Sequence, residues 1–150
     1  MDHATDLLNR LRRITMVKFI ASSEHDTRWN GFGSGVVTTR SREPDFVHFT
    51  EHGMWQPNHG LDKEWGNVLV WTMLAPDRIQ LQHLRWFGPE HPLDLFELVM
   101  NIDGIWEVVI APHNNDDCWS VDLQVFEDGV NVRESATGLR KSQTIIYEYR

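Results

Sequence analysis

The chain has 150 residues, an apolar fraction of 41% and a formal net charge of −8. This length can bury a core, and we expect one domain over residues 1–150. Seven tryptophans and seven phenylalanines are too many for a disordered chain. The acidic balance disfavours a nucleic-acid partner, because a phosphate backbone would be repelled.

The expected location of the protein is cytoplasmic. The lone Cys118 cannot form an internal disulfide, which fits a reducing compartment. The first residues are polar and acidic, unlike a signal peptide, and no apolar run is long enough to span a membrane.

The N-terminal segment predicts a short amphipathic helix over residues 4–13. Leu7, Leu8 and Leu11 fall on one side of such a helix, and Thr5 or Asp6 can cap its start. Because a helix buries its apolar stripe, we expect this one to pack as a lid over one end of the domain.

From Met16 onward the apolar period changes from 3.6 to 2, which is the period of strands. A glycine ladder, Gly31-x-Gly33-x-Gly35, leaves one strand face bare, so that this strand can bend or lie close to another backbone. Strands are predicted over residues 16–21, 31–38, 46–52, 67–74, 79–86, 118–127 and 143–150, with Gly53 ending the third. Residues 92–100 fit a strand or a helical turn equally well.

Eight to ten short strands separated by turns predict an antiparallel sandwich or barrel. A barrel is favoured, because the glycine-relieved strand comes early and the chain ends in a strand that can close the sheet. The predicted fold class is therefore all-β, an antiparallel barrel over residues 14–150 preceded by the helix.

Several motifs resemble those of the lipocalin-like (calycin) barrels, and most of all an uncharacterised lipocalin-like family known only as a domain of unknown function. The matching residues are Glu51-x-Gly53-x-Trp55, Trp71, His83-x-Arg85, Gly138-x-Arg140-Lys141 and Tyr147. The resemblance implies a calycin-type barrel. The glycine ladder also resembles that of the nitrobindin family, whose barrels hold haem through a histidine near the C-terminus. No histidine follows His113 here, so haem is an alternative and no cofactor is predicted.

Polar residues on an apolar strand face form the candidate binding site. His83 and Arg85 share a face with Ile79 and Leu81. If this face points inward, the guanidinium needs a carboxylate or a ligand anion, and Glu51 is the predicted partner. The alternatives are a purely internal salt bridge or a face turned to solvent.

The sequence predicts non-catalytic binding of a small apolar or amphipathic, anionic ligand inside the barrel. The predicted ligand-binding residues are Glu51, Trp71, His83, Arg85 and Tyr147. Three alternatives remain: an enzyme that uses Glu51 or His83 as acid or base, a haem protein, and an interaction module with a filled barrel and an exposed apolar patch. A homo-oligomer is compatible with each.

No metal site is predicted. His48 and His52 fall on one strand face, but residues four apart on a strand are separated by about 13 Å, too far to share one ion. Trp55, Trp65 and Trp86 flank predicted loops, where they can form an aromatic rim around a pocket or fold over an open end.

Overall fold

The computed structural model describes residues 2–24, 30–40, 43–85, 88–110, 118–138 and 141–150. Within these residues the chain forms a helix, α1 (His3–Leu11), and ten strands. The strands are β1 (Met16–Ser23), β2 (Gly31–Arg40), β3 (Phe46–Pro57), β4 (Lys63–Ala75), β5 (Arg78–Arg85), β6 (Gly88–Met100), β7 (Trp106–Ile110), β8 (Cys118–Phe126), β9 (Gly129–Gly138) and β10 (Lys141–Tyr149). None of the described helices is long and apolar enough to cross a membrane.

Sequential strands pair antiparallel, and β1 also pairs with β10, so that the sheet closes into a barrel. The closing register places Val17 opposite Tyr149 and Ser23 opposite Gln143. The predicted all-β antiparallel barrel with a short N-terminal helix is confirmed. Alternate side chains of each strand point inward, as the period of two requires, and form one apolar core.

The helix closes one end of the barrel, which we call the lid end. Leu7, Leu8 and Leu11 are fully buried against the core. The Asp2 carboxylate caps the first turn by accepting a 2.7 Å hydrogen bond from the backbone N–H of Thr5. Polar contacts also hold the helix to the strand ends, among them a 2.9 Å bond from Ala4 N to Pro76 O. The opposite end of the barrel is the mouth.

The glycine ladder brings β2 close to the neighbouring strands. A Cβ on Gly33 would collide with the Phe19 ring of β1. A Cβ on Gly53 of β3 would lie 2.6 Å from the Cα of Gly35. The predicted end of the third strand at Gly53 is therefore wrong, because the two glycines pass each other without side chains and β3 continues to Pro57.

Residues 92–100, for which the sequence left a strand and a helical turn open, belong to strand β6, whose register sets Leu98 opposite Ile79 of β5. Pairing with β5 therefore decides between the two alternatives. Helix α1 ends at Leu11 and not at the predicted residue 13. Just beyond this end, the carbonyl of Arg12 accepts a 3.2 Å hydrogen bond from the Thr39 hydroxyl of β2.

Candidate functional site

A cavity of 790 Å³ opens at the mouth of the barrel. We call it the mouth cavity. Its wall is built by inward residues near the mouth ends of β1, β3, β4 and β10, together with the loop from β3 to β4. The lining residues are Phe19, Ala21, Ser22, Trp55, Pro57, His59, Gly60, Leu61, Lys63, Glu64, Trp65, Gly66, Asn67, Gln143, Ile145 and Tyr147.

Four aromatic rings, the aromatic cluster, form part of this wall. The Phe19 ring stacks on Trp55 with the centroids 5.3 Å apart, and it meets the Trp65 ring edge-on at 4.9 Å. The Tyr147 ring lies 5.7 Å from Phe19 at a tilt of 45°. Gly33 has no side chain, and this leaves room for the Phe19 ring of the cluster. Offset and edge-to-face rings of this kind give a rigid apolar surface.

Below the mouth cavity lies a second, smaller space of about 30 Å³, which we call the inner chamber. This volume holds about two water molecules. Asn67 and Tyr147 line both spaces, so they form the boundary between them. The other residues around the chamber are Leu69, Trp71, Leu81, His83, Phe96, Val121, Val132, Glu134 and Tyr149.

Glu51 anchors a polar network beside the inner chamber. Its side chain is fully buried, with an exposed fraction of 0%. The Tyr149 hydroxyl donates a 2.6 Å hydrogen bond to Glu51 Oε1, and Asn67 Nδ2 donates a longer one of 3.4 Å to Oε2. His83 Nε2 lies 2.9 Å from Asn67 Oδ1, and because an amide oxygen only accepts, the ring N–H donates in this contact. The carboxylate and the imidazole are thus joined through one amide.

Burial dominates the electrostatics of this network. Burial raises the pKa of Glu51 above its ordinary value of 4.5, and the hydrogen bonds from Tyr149 and Asn67 only partly oppose the shift. Burial also raises the pKa values of Tyr147 and Tyr149 well above the ordinary value of 10.0, and the nearby Glu51 and Glu134 carboxylates add to both shifts. Both phenols therefore remain neutral hydrogen-bonding groups at any physiological pH.

The predicted site residues lie at different depths. Tyr147 borders both spaces, whereas His83 and Trp71 line only the inner chamber. Glu51 lines neither space and reaches them through Tyr149 and Asn67. The side chain of Arg85 lies outside the described residues, as does the predicted rim residue Trp86.

Trp55 and Trp65 lie within strands and not in loops, and both line the mouth cavity. The Nε1 atoms of Trp65 and Trp71 are buried and have no hydrogen-bond partner among the described residues.

Three polar residues of the network were missed at the level of sequence: Asn67, Tyr149 and Glu134. Each was detectable by alternation, because each occupies an inward position two residues from a large apolar or aromatic side chain. Asn67 lies between Trp65 and Leu69 on β4, and Tyr149 follows Tyr147 on β10. Nothing in the sequence showed that these three strands would bring their polar groups together.

Neither Glu51 nor His83 lines the mouth cavity, so neither is placed to transfer a proton to a molecule held there. A general acid or base must reach the proton that it transfers. Both carboxylate oxygens of Glu51 are occupied by neutral donors in the core. His83 faces a chamber that is too small for an organic substrate. Among the described residues, no group of three or more His, Cys, Asp or Glu side chains is placed to hold a metal ion.

Comparison with known proteins gives no family. No family model matches the chain, and no curated protein matches it. Among solved structures the chain is similar to one from the de novo design of a fluorescence-activating β-barrel, at 12% identity and a TM-score of 0.46, over 95% of this chain and 98% of that one. It is also similar to a redesigned β-barrel, at 10% identity and a TM-score of 0.44, over 100% of this chain and 97% of that one. The resemblance to lipocalin-like barrels stays a prediction.

Proposed function

We propose that the protein binds a small apolar or amphipathic molecule in the mouth cavity, as a lipocalin-like barrel would. The observation that carries this proposal is the cavity itself. Its volume of 790 Å³ falls within the range of about 300–1,000 Å³ that is usual for small-molecule sites. A barrel that served only as an interaction module would be filled by its own side chains.

The aromatic cluster supports a ligand with a flat apolar body. Trp55 and Trp65 present ring surface to the cavity, and stacking on Phe19 holds the Trp55 ring in place. A ligand ring laid against them buries apolar area on both sides, without reorganising the wall.

The base of the cavity supports a polar group at the inner end of the ligand. Asn67 and Tyr147 meet the ligand first, and the predicted residues His83 and Glu51 lie behind them. These groups suit a hydrogen-bonding hydroxyl, carbonyl or amide. The Glu51 and Glu134 carboxylates disfavour an anion close to the inner chamber. Binding of an anionic ligand, as the sequence predicts, therefore needs a cation. The sequence offers the guanidinium of Arg85, and Lys63 lines the mouth cavity.

A cavity-filling substitution tests the proposal. N-phenyl-1-naphthylamine, a neutral apolar fluorophore, should brighten on binding to the wild-type chain. Ile145→Trp places an indole in the mouth cavity and should weaken binding at least tenfold. Thr144→Trp, one position away on the outward side of β10, is the matched control and should bind like wild type. Equal binding by wild type and Ile145→Trp, or no binding by wild type, would contradict the proposal.

A further inference from the structure

A second apolar surface lies on the outside of the barrel, where β10, β1, β2 and β3 run side by side. Its side chains have 41–63% of their surface exposed. We call it the apolar face, and it consists of Met16, Ile20, Phe32, Val36, Met54 and Ile146.

Strand register makes these side chains contiguous. Ile20 of β1 lies opposite Ile146 of β10 on one side and opposite Phe32 of β2 on the other. Met16 lies opposite Val36, which extends the surface toward the lid end. Apart from Cys118 and Phe126 at the ends of β8, the outward positions of β8 and β9 carry polar side chains, namely Ser120, Asp122, Gln124, Asn131, Arg133, Ser135 and Thr137.

The size of the apolar face suits a protein contact. Six half-exposed side chains offer on the order of 500 Å², which is at the upper end for the largest patch on an ordinary monomer. With its polar margin it approaches the ~800 Å² that each partner contributes to a standard interface. Because β-barrel surfaces are convex, we expect the contact area to be small and the binding of the partner to be weak.

Charge selects the partner. Lys18 and Glu148 sit opposite each other in the middle of the face, on β1 and β10. A surface that carries one charge of each sign among apolar side chains can be complementary to itself.

We propose that a second copy of the chain packs on the part of the apolar face that lies on β10, β1 and β2, related by a two-fold axis that runs parallel to the strands between β1 and β10. This axis exchanges the two strands at equal height. Lys18 of each copy then faces Glu148 of the other, and Ile20 faces Ile146. The same operation brings Phe32 toward Arg133, since Arg133 lies opposite Ile146 on β9. A guanidinium over a phenyl ring is a favourable contact.

Charge reversal tests the arrangement by sedimentation velocity from about 1 to about 500 µM, the range expected of a small interface. The wild-type chain should dimerise with rising concentration. Lys18→Glu gives each copy two glutamates in the contact, and Glu148→Lys gives each copy two lysines. Each variant alone should dimerise at least tenfold more weakly, because like charges then meet across the axis.

A mixture of the two variants is the decisive sample. Equimolar Lys18→Glu and Glu148→Lys should form a heterodimer, because every contact again pairs a glutamate with a lysine. This recovery also shows that both variants fold, and no effect within one copy can produce it. Gln80→Lys, at an outward position of β5 across the barrel from β1 and β10, is the control and should dimerise like wild type.

Four results would overturn the proposal. The wild-type chain stays monomeric throughout the range, or the single variants dimerise like wild type. The mixture of the two variants stays monomeric. A monomeric wild-type chain sediments with phosphatidylcholine vesicles, which carry no net charge. The last would assign the apolar face to a lipid surface. Because the face is outside the barrel, all four leave the proposed ligand site untouched.

Discussion

The Tyr149 hydroxyl and the Glu51 carboxylate meet in the core, across 98 residues of sequence, at a distance of 2.6 Å. Tyr149 lies on the last strand and Glu51 on the third, so the bond exists only because the barrel is closed. It stabilises a carboxylate that burial would otherwise make costly. The same carboxylate accepts from Asn67 at the boundary of the two spaces. The Glu51 carboxylate therefore contributes both to the stability of the fold and to the floor of the candidate site.

Replacing Glu51 by glutamine should change how stability depends on pH. The pKa of Glu51 is raised in the folded state, so the folded chain holds a proton that the unfolded chain releases. The contribution of this group is fully present below its ordinary pKa of 4.5, and it is lost as the pH rises through the folded pKa. Glu51→Gln cannot titrate, and its oxygen still accepts from Tyr149. We expect the free energy of unfolding of Glu51→Gln to increase relative to that of wild type as the pH rises from 4.5. Urea denaturation at a series of pH values measures this difference. A difference that does not change with pH would refute this assignment.

Removing the Tyr149 hydroxyl should destabilise the fold. Tyr149→Phe leaves Glu51 Oε1 without its short hydrogen bond, and a buried acceptor left unpaired costs about 1–3 kcal/mol. The pKa of Glu51 should rise further, since that bond lowers it. Tyr147→Phe is the matched control on the same strand face, and it should lose less, because the donors to Glu51 are Tyr149 and Asn67 and not Tyr147. Equal losses, measured by urea denaturation, would argue against a special role for Tyr149.

The fold was largely predictable from sequence because period-two alternation and glycine spacing are local signals. Gly31, Gly33 and Gly35 indicated a strand that approaches its neighbours closely, and each would collide with a neighbour if it carried a Cβ. The candidate site was only partly predictable. Alternation placed Glu51 and His83 inside, but their connection through Asn67 depends on the register of β3, β4 and β5. Pairing register is a property of the closed sheet and cannot be read from one strand.

Adding a side chain at Gly33 should disrupt the aromatic cluster. A Cβ at this position would collide with the Phe19 ring, which cannot move freely between Trp55 and Trp65. We expect Gly33→Val to cost about 1–3 kcal/mol, as overpacking of a core does. Ser34→Val enlarges the side chain at the neighbouring exposed position of the same strand and should have little effect. Unchanged thermal stability of Gly33→Val would mean that the ladder does not need its bare face.

Removing Arg85 should separate anionic from neutral ligands. The sequence predicts that the Arg85 guanidinium faces inward beside His83, where it can hold a ligand anion. Arg85→Leu should therefore weaken binding of anilinonaphthalene sulfonate, an anionic probe, at least tenfold. Binding of the neutral N-phenyl-1-naphthylamine should survive, because the apolar wall is unchanged. Equal losses for the two probes, or no loss for the anionic one, would assign Arg85 a structural role.

The central claim is that the mouth cavity is the ligand site, and the indole N–H signals in a two-dimensional ¹H–¹⁵N spectrum test it most directly. Trp55 and Trp65 line the cavity, whereas Trp106 is fully buried at the start of β7, near the lid end. Titration with N-phenyl-1-naphthylamine should shift the Trp55 and Trp65 signals in a saturable way and leave the Trp106 signal in place. Substitution of each tryptophan by phenylalanine assigns the three signals. Saturable binding that leaves Trp55 and Trp65 unmoved would place the ligand elsewhere and contradict the claim.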